Sequence, residues 1–268
     1  MWLSLAAVVL VFALVMQSTH PLTMLAPLLL FTAMMTLGAV AAHRLRRLNQ
    51  RVMQAQQLTM MRDHQAALRL AWETMPTAVH QPQSHSALTA ILAAALDQVK
   101  AHEAAIVAYD ELLDRLPAEH PGSVFLKVQR AISLLQCDRL LDADNALRSL
   151  RGVADAVQQS VTRAVYRLAV LLQQVRTNHF TDALEAAPTL LDDLRPLGIE
   201  AGYGHALMAL SFSQAPEGDA ARSQEWWSRA TLLVEPAALI QRFAELQPLT
   251  SGGGNGADDT QELAYEPE

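Results

Sequence analysis

Two apolar runs, Trp2–Met16 and Leu22–Ala42, lie within the first 42 residues, separated by Gln17-Ser18-Thr19-His20-Pro21, and neither contains an ionisable side chain. At ~1.5 Å per residue the second run spans about 31 Å, close to one hydrocarbon core. The first reaches about 22 Å and needs Gln17 to Thr19, local thinning of the bilayer, or both to cross. A hairpin buried in a soluble core is the alternative, but a surface helix keeps one polar face and neither run has one. The expectation is a transmembrane helical hairpin over residues 1–43.

The basic residues orient it. Arg44, Arg46, Arg47 and Arg51 follow the second run, whereas the short connecting loop and the segment before the first run carry no Lys or Arg. The positive-inside rule then places residues 44 onward, and both termini, in the cytoplasm, as in a bacterial inner-membrane protein. The same four arginines suit anionic lipid headgroups. A cleaved secretory signal would need a basic leading region and a small-x-small site near Val15-Met16-Gln17, and the sequence has neither. A single signal anchor with an external domain is the remaining alternative.

The rest of the chain, about 220 residues, is enough for one domain or a repeat array. Net charge is −7 and unevenly spread: the arginines cluster at the membrane edge, and residues 251–268 hold five acids and no base. So short a basic strip on an acidic chain gives no nucleic-acid footprint. The one cysteine, Cys137, excludes both a disulfide framework and a thiolate zinc site within one chain, which suits a reducing cytoplasm.

Between Gln50 and Leu246 glycine and proline are sparse, Ala, Leu, Gln and Arg abound, and apolar residues recur every three or four positions. That pattern predicts an all-α fold. Pro76, Pro82, Pro117, Pro121, Pro196 and Pro216 are expected between helices. A basic juxtamembrane helix over 44–62 should continue the second run into the first helix of the domain. Residues 247–268, rich in Gly and then in acids from Ser251, read as a disordered tail.

The helices also repeat. In Thr89–Pro117, Leu92, Ala93 and Leu96 fall on one helix and Ala105, Ile106, Tyr109, Leu112 and Leu113 on the next. Small residues at Ala93 and Ala105 let two helix backbones approach while Leu96 and Tyr109 fill the space beside them. Anchored on Ala105, the register recurs at Ala67, Ala143, Ala183 and Ser223. The pattern resembles the tetratricopeptide repeat, departing from it at Lys100, where that family favours Gly, and at Leu112, where it favours a small residue. The resemblance covers residues 48–246 and implies an α-solenoid of about five helix pairs. A hairpin followed at once by repeats is similar in layout to the HemY family of bacterial inner-membrane proteins. An irregular helical bundle is the alternative.

No catalytic, cofactor or metal constellation is present in the sequence. His102-Glu103-Ala104-Ala105-Ile106 starts like a zincin helix but lacks the second His, and no Gly-rich phosphate loop occurs. The chain is therefore expected not to be an enzyme.

In tetratricopeptide arrays the first helix of each pair lines a concave groove. The resemblance assigns that wall here to Ala87, Ala90 and Ala94, then Phe125, Val128 and Ile132, then Val165, Leu168 and Leu172, and finally His205, Met208 and Phe212. Some members clamp a terminal carboxylate at such positions, but these side chains are nearly all unable to donate. An apolar groove, with Gln136 and Arg176 at its edge, suits an amphipathic helix, the chain's own tail or a second protomer. Of the pair Trp226-Trp227, Trp227 is expected inward and Trp226 partly exposed, as rim packing or a partner hot spot.

The reading is a membrane-anchored adaptor or scaffold that uses a cytoplasmic groove to bind an unidentified protein partner, self-association included, in the assembly or regulation of a membrane complex. The alternative is a structural subunit held mainly through the hairpin.

Overall fold

The structure, a computed structural model, describes residues 21–117, 120, 122–156 and 160–251, and among them all regular structure is helical. The chain divides after Leu92 into two compact units. The first contains α1 (Pro21–Met60), α2 (His64–Ala78) and the opening of α3 (Pro82–Gln98). α1 has no break between Ala42 and Arg51, and at ~1.5 Å per residue its 40 residues extend about 60 Å. Its later half turns Leu48, Val52 and Ala55 inward at i, i+4 and i+7, in one core with Ala67, Ala71 and Ala78 of α2 and with Leu88, Ile91 and Leu92. Alanines on α2 keep that packing close.

The earlier half of α1 is different. From Leu30 to Arg47 every residue is exposed, Leu37 by 70% and Met35 by 61%. Among the described residues no helix is long and apolar enough to cross a membrane. The first apolar run lies outside the described residues, and the side chains of the second are described only from Leu30. The transmembrane hairpin expected from the sequence thus has no counterpart among the described residues.

One connection is used four times. Arg62, Lys100, Asp138 and Asn178 all take a left-handed backbone, with φ of 62°, 65°, 58° and 58°. They stand 38, 38 and 40 residues apart. In each, the left-handed residue donates three positions back (Lys100 to Asp97 O, 3.2 Å) and its successor five back (Ala101 to Leu96 O, 2.9 Å). The others repeat these bonds at Arg62/Asp63, Asp138/Arg139 and Asn178/His179. This is the Schellman helix end. Five residues after each left-handed position comes an alanine with no exposed surface: Ala67, Ala105, Ala143 and Ala183. The chain turns at nearly equal intervals and then buries a small side chain. The fifth connection differs: Asp219 caps the next helix with its side chain, accepting from Ala221 and Arg222, and the Ser223 hydroxyl donates to Ala209 O at 2.8 Å.

A left-handed conformation costs an ordinary L-residue about 1–2 kcal/mol, which glycine avoids. Lys100→Gly is therefore expected to raise stability by up to about 1 kcal/mol, read as a higher urea midpoint with an unchanged slope. Asn178→Gly should gain least, because Asn tolerates this region.

The second unit holds the end of α3, then α4 (His102–Arg115), α5 (Ser123–Gln136), α6 (Leu140–Ala156) and α7 (Ser160–Arg176). Next come the short α8 (Phe180–Glu185) and α9 (Ala187–Leu194), and a 3-10 stretch, Arg195–Glu200, with left-handed Gly198. α10 (Ala201–Gln214) and α11 (Ala220–Leu233) form the last long pair, and α12 (Pro236–Arg242), a 3-10 turn (Ala244–Leu246) and α13 (Gln247–Ser251) end the described chain. α10 is buried around most of its circumference, from Ala201 through Phe212 apart from Tyr203. Gly204 permits its close approach to α9, since a Cβ there would stand 2.1 Å from Leu194 Cδ1.

Two sequence expectations are corrected. Pro76 lies inside α2, in its last turn, where the missing donor removes only one helical bond, so the helix runs on to Ala78. Residues 247–251, expected to begin the disordered tail, form α13; residues 252–268 lie outside the described residues.

Candidate interaction groove

The positions assigned to the groove wall from the repeat pattern fall in the second unit except Ala87 and Ala90, which are half-buried in the first. Ala94 and Phe125 are half-buried too. The rest of the expected open wall is closed. Val128, Ile132, Leu168, Leu172, Met208 and Phe212 are between 0% and 9% exposed and belong to one continuous core. An uncovered strip of this size would be a large apolar patch in water. Leu239, Phe243 and Leu246 of the chain's own C-terminal segment, at i, i+4 and i+7, join the same core with 0%, 2% and 0% exposure. Phe243 meets Tyr203 edge to face, with ring centroids 5.6 Å apart.

Two ionic ties fix that segment. The Arg242 guanidinium reaches the end of α3, where Nη1 donates to Asp97 O at 3.0 Å and Nη2 to Asp97 Oδ2 at 2.5 Å. Glu245 accepts from Arg176 Nη2 at the end of α7. Arg176 itself donates to Leu135 O in the last turn of α5 and to Asp138 and Gln136. Asp97 and Leu135 occupy equivalent places before successive left-handed turns, each carbonyl accepting a Schellman bond as well. A guanidinium at the carbonyl end of a helix is favourably placed against the helix dipole and satisfies a carbonyl lone pair.

Asp97 is the polar centre of this arrangement. Its side chain is 4% exposed, and besides Arg242 it receives the Ser133 hydroxyl at 2.9 Å and His102 Nδ1 at 2.8 Å. Burial alone pushes a carboxyl up, but the His102 hydrogen bond and the Arg242 charge outweigh it and hold Asp97 at about 2. Tyr109 is pushed well above the usual phenol range, by burial first and then by the Asp97 charge. Nothing in the sequence pairs Asp97 with Arg242, 145 positions away, and this cluster was not expected from it. Among the described residues no group of three His, Cys, Asp or Glu side chains could hold a metal ion.

The tryptophans are reversed from expectation. Trp226 is 5% exposed and Trp227 half-buried. On α11 the inward stripe is Ser223, Trp226 and Ala230, and the Trp226 indole stands edge-on to His205 at 5.5 Å with the Arg229 guanidinium over its face at 5.4 Å. Trp226 is therefore core, not an exposed hot spot. Burial, and then the Arg229 charge, depress the His205 pKa below its ordinary value. Burial, then Glu103, raises the Cys137 thiol above its ordinary value, away from a reactive thiolate.

An open groove does exist elsewhere in the second unit. It lies between α6 and α7, about 580 Å³, with Leu141, Arg148 and Arg151 on one side and Tyr166, Gln173 and Thr177 on the other. Tyr166 and Gln173 lie on a different face of α7 from Leu168 and Leu172, and Thr177 follows the helix, so the repeat register does not point to this groove. No protein-family model matches this chain, and no curated protein or solved structure is found to be similar to it.

Proposed function

We propose that this chain is a membrane-anchored scaffold built of tetratricopeptide-like helical repeats and acting in protein–protein contact at a membrane rather than in catalysis. The observation that carries the membrane part is the surface of α1, where Leu30, Phe31, Met34, Met35, Leu37 and Val40 are all at least 46% exposed. Exposed apolar side chains on every side of one helix call for an apolar surrounding, and the residues that precede them continue the apolar run. The repeat part is supported by the four Schellman turns and their fully buried alanines.

With Val128, Ile132, Leu168, Leu172, Met208 and Phe212 buried in one core with Leu239, Phe243 and Leu246, the second unit offers partners its open faces, or these positions only after that core has opened. The structural-subunit reading, with contacts made chiefly through the anchor, is favoured by that same burial. Crosslinking from intact membranes separates the two: partners attached to probes in the second unit support the scaffold, and partners attached only to probes in the apolar runs support the subunit. For topology, reporter fusions after Arg51 and at Glu268 are both expected to give a cytoplasmic signal. A signal from the opposite side at either position would overturn the orientation.

A further inference from the structure

Beside α1 the first unit carries an open groove of about 810 Å³, of a size that accepts a small amphiphile. On α1 it is lined by Leu37, Val40, Leu45, Arg44, Arg47 and Arg51, and Thr77 and His80 stand opposite, at the end of α2 and the corner after it. Leu37, Val40, Arg44, Arg47 and Arg51 recur every three or four residues, so they form one stripe along about 21 Å of helix. The stripe is ordered along the axis, apolar at its start and cationic at its end. No Asp or Glu is among the groove's lining residues, and the three arginines have no ion-pair partner among the described residues.

We infer that this groove holds one anionic phospholipid, with its phosphate between Arg44, Arg47 and Arg51 and its acyl chains along Leu37, Val40 and Ala41. The inference rests on the membrane reading above and deepens it: a defined lipid site in place of diffuse attraction. Charge complementarity selects the headgroup, because the guanidinium fork matches phosphate oxygens and nothing acidic lines the groove to compete. The polarity gradient selects the amphiphile. An amphipathic partner helix segregates its charge around its axis and would require apolar and basic positions side by side along the whole groove. A free phosphate would leave the apolar half of the stripe unused. The direction also fits, since the apolar end of the stripe adjoins the apolar run and the arginines point away from it.

Arg46 provides the internal control. It sits within the same basic cluster but is not among the residues lining the groove. Full-length protein is extracted in mild detergent, reconstituted in nanodiscs of phosphatidylcholine with a minor fraction of phosphatidylglycerol, and analysed by native mass spectrometry after release. One phosphatidylglycerol retained per chain is expected. Arg44→Gln, Arg47→Gln and Arg51→Gln should each lower that retention about tenfold, the effect of one charge-assisted hydrogen bond, and Arg46→Gln should leave it unchanged. Equal losses from Arg46→Gln and the other three, or no retained lipid, would overturn the inference in favour of diffuse surface attraction. Displacement by millimolar glycerophosphoglycerol, which has the headgroup and no chains, would reduce the groove to a phosphate site, and a peptide or protein retained there would make it a protein contact. Carbonate extraction of the same preparations tests the parent reading separately. Chains that stay in the membrane pellet without retaining lipid sink only the lipid site, whereas release of the wild-type chain sinks the membrane anchor itself.

Discussion

Asp97→Ala is expected to destabilise the second unit by about 3–5 kcal/mol, the cost of removing one partner from a buried ion pair. The Arg242 side chain is 12% exposed and would be left with the Asp97 backbone carbonyl as its hydrogen-bond partner among the described residues. The Ser133 hydroxyl and His102 Nδ1 would lose their acceptor at the same site. Asp97→Asn keeps the shape and can still accept from Ser133, so it should cost less. The double change Asp97→Leu with Arg242→Met removes both charges and should recover much of the loss, since apolar replacements of such pairs are often neutral. Urea unfolding of the full chain in detergent, followed by tryptophan fluorescence, measures all three. Additive effects of the single changes would show that the two residues do not act as a pair.

The same pair predicts an acid limb. The Asp97 carboxyl has an ordinary value of 3.8 and is held at about 2 in the fold. A carboxylate depressed by folding contributes stability that is fully present above its unfolded value and is lost as pH falls through its folded value. The window is therefore from about pH 4 down to about pH 2, and the amount is about 2 kcal/mol. Wild type and Asp97→Asn should have parallel stability curves above pH 5 and converge below pH 4. A constant gap down to pH 2 would mean the Asp97 charge contributes nothing.

The repeat was legible in the sequence because its signal is local. Ala67, Ala105, Ala143 and Ala183 each sit five residues after a turn, and a small buried side chain at that place is a requirement of helix–helix approach that composition alone reveals. The turn residue itself was less legible. Arg62, Lys100 and Asp138 stand in a conformation that glycine would mark, and side chains that tolerate it at a modest cost leave no trace. The positions assigned to the groove wall are nearly all apolar by residue type, but their exposure is not a local property. Leu168 and Met208 are buried in one core with Leu239, Phe243 and Leu246, from a segment that a sequence reading treats as a cap on the last helix pair. Their i, i+4, i+7 spacing gave a usable clue, since a terminal helix with a full apolar stripe needs a surface of its own. Trp226 shows the limit of family-based placement: the pattern puts an aromatic at the position of Trp227, yet the inward stripe of α11 runs through Ser223, Trp226 and Ala230.

A chain ended after Glu235 is expected to uncover the groove and lose most of the stability of the second unit. Burying Leu239, Phe243 and Leu246 contributes about 1.5–3 kcal/mol each, so their joint loss is on the order of 5–8 kcal/mol before the two ionic ties are counted. Hydrogen exchange should then speed up in Ser160–Arg176 and Ala201–Gln214, the helices that supply Leu168, Leu172, Met208 and Phe212 to the shared core. A synthetic peptide of residues 236–251 added to the shortened protein separates two roles for the segment. If the groove is a helix-binding surface that the chain occupies in cis, the peptide restores protection with a dissociation constant between about 1 mM and 1 μM, weaker than the tethered form because the tether's effective concentration is gone. A peptide carrying Arg242→Ala should bind markedly worse, having lost its contact with Asp97. If the segment is an inseparable part of the fold, the shortened chain stays unfolded at any peptide concentration. Restoration would establish that a partner helix with the same Leu, Arg, Phe and Leu spacing can compete for the groove. Its absence would leave the α6–α7 groove and the membrane anchor as the surfaces through which the chain meets its partners.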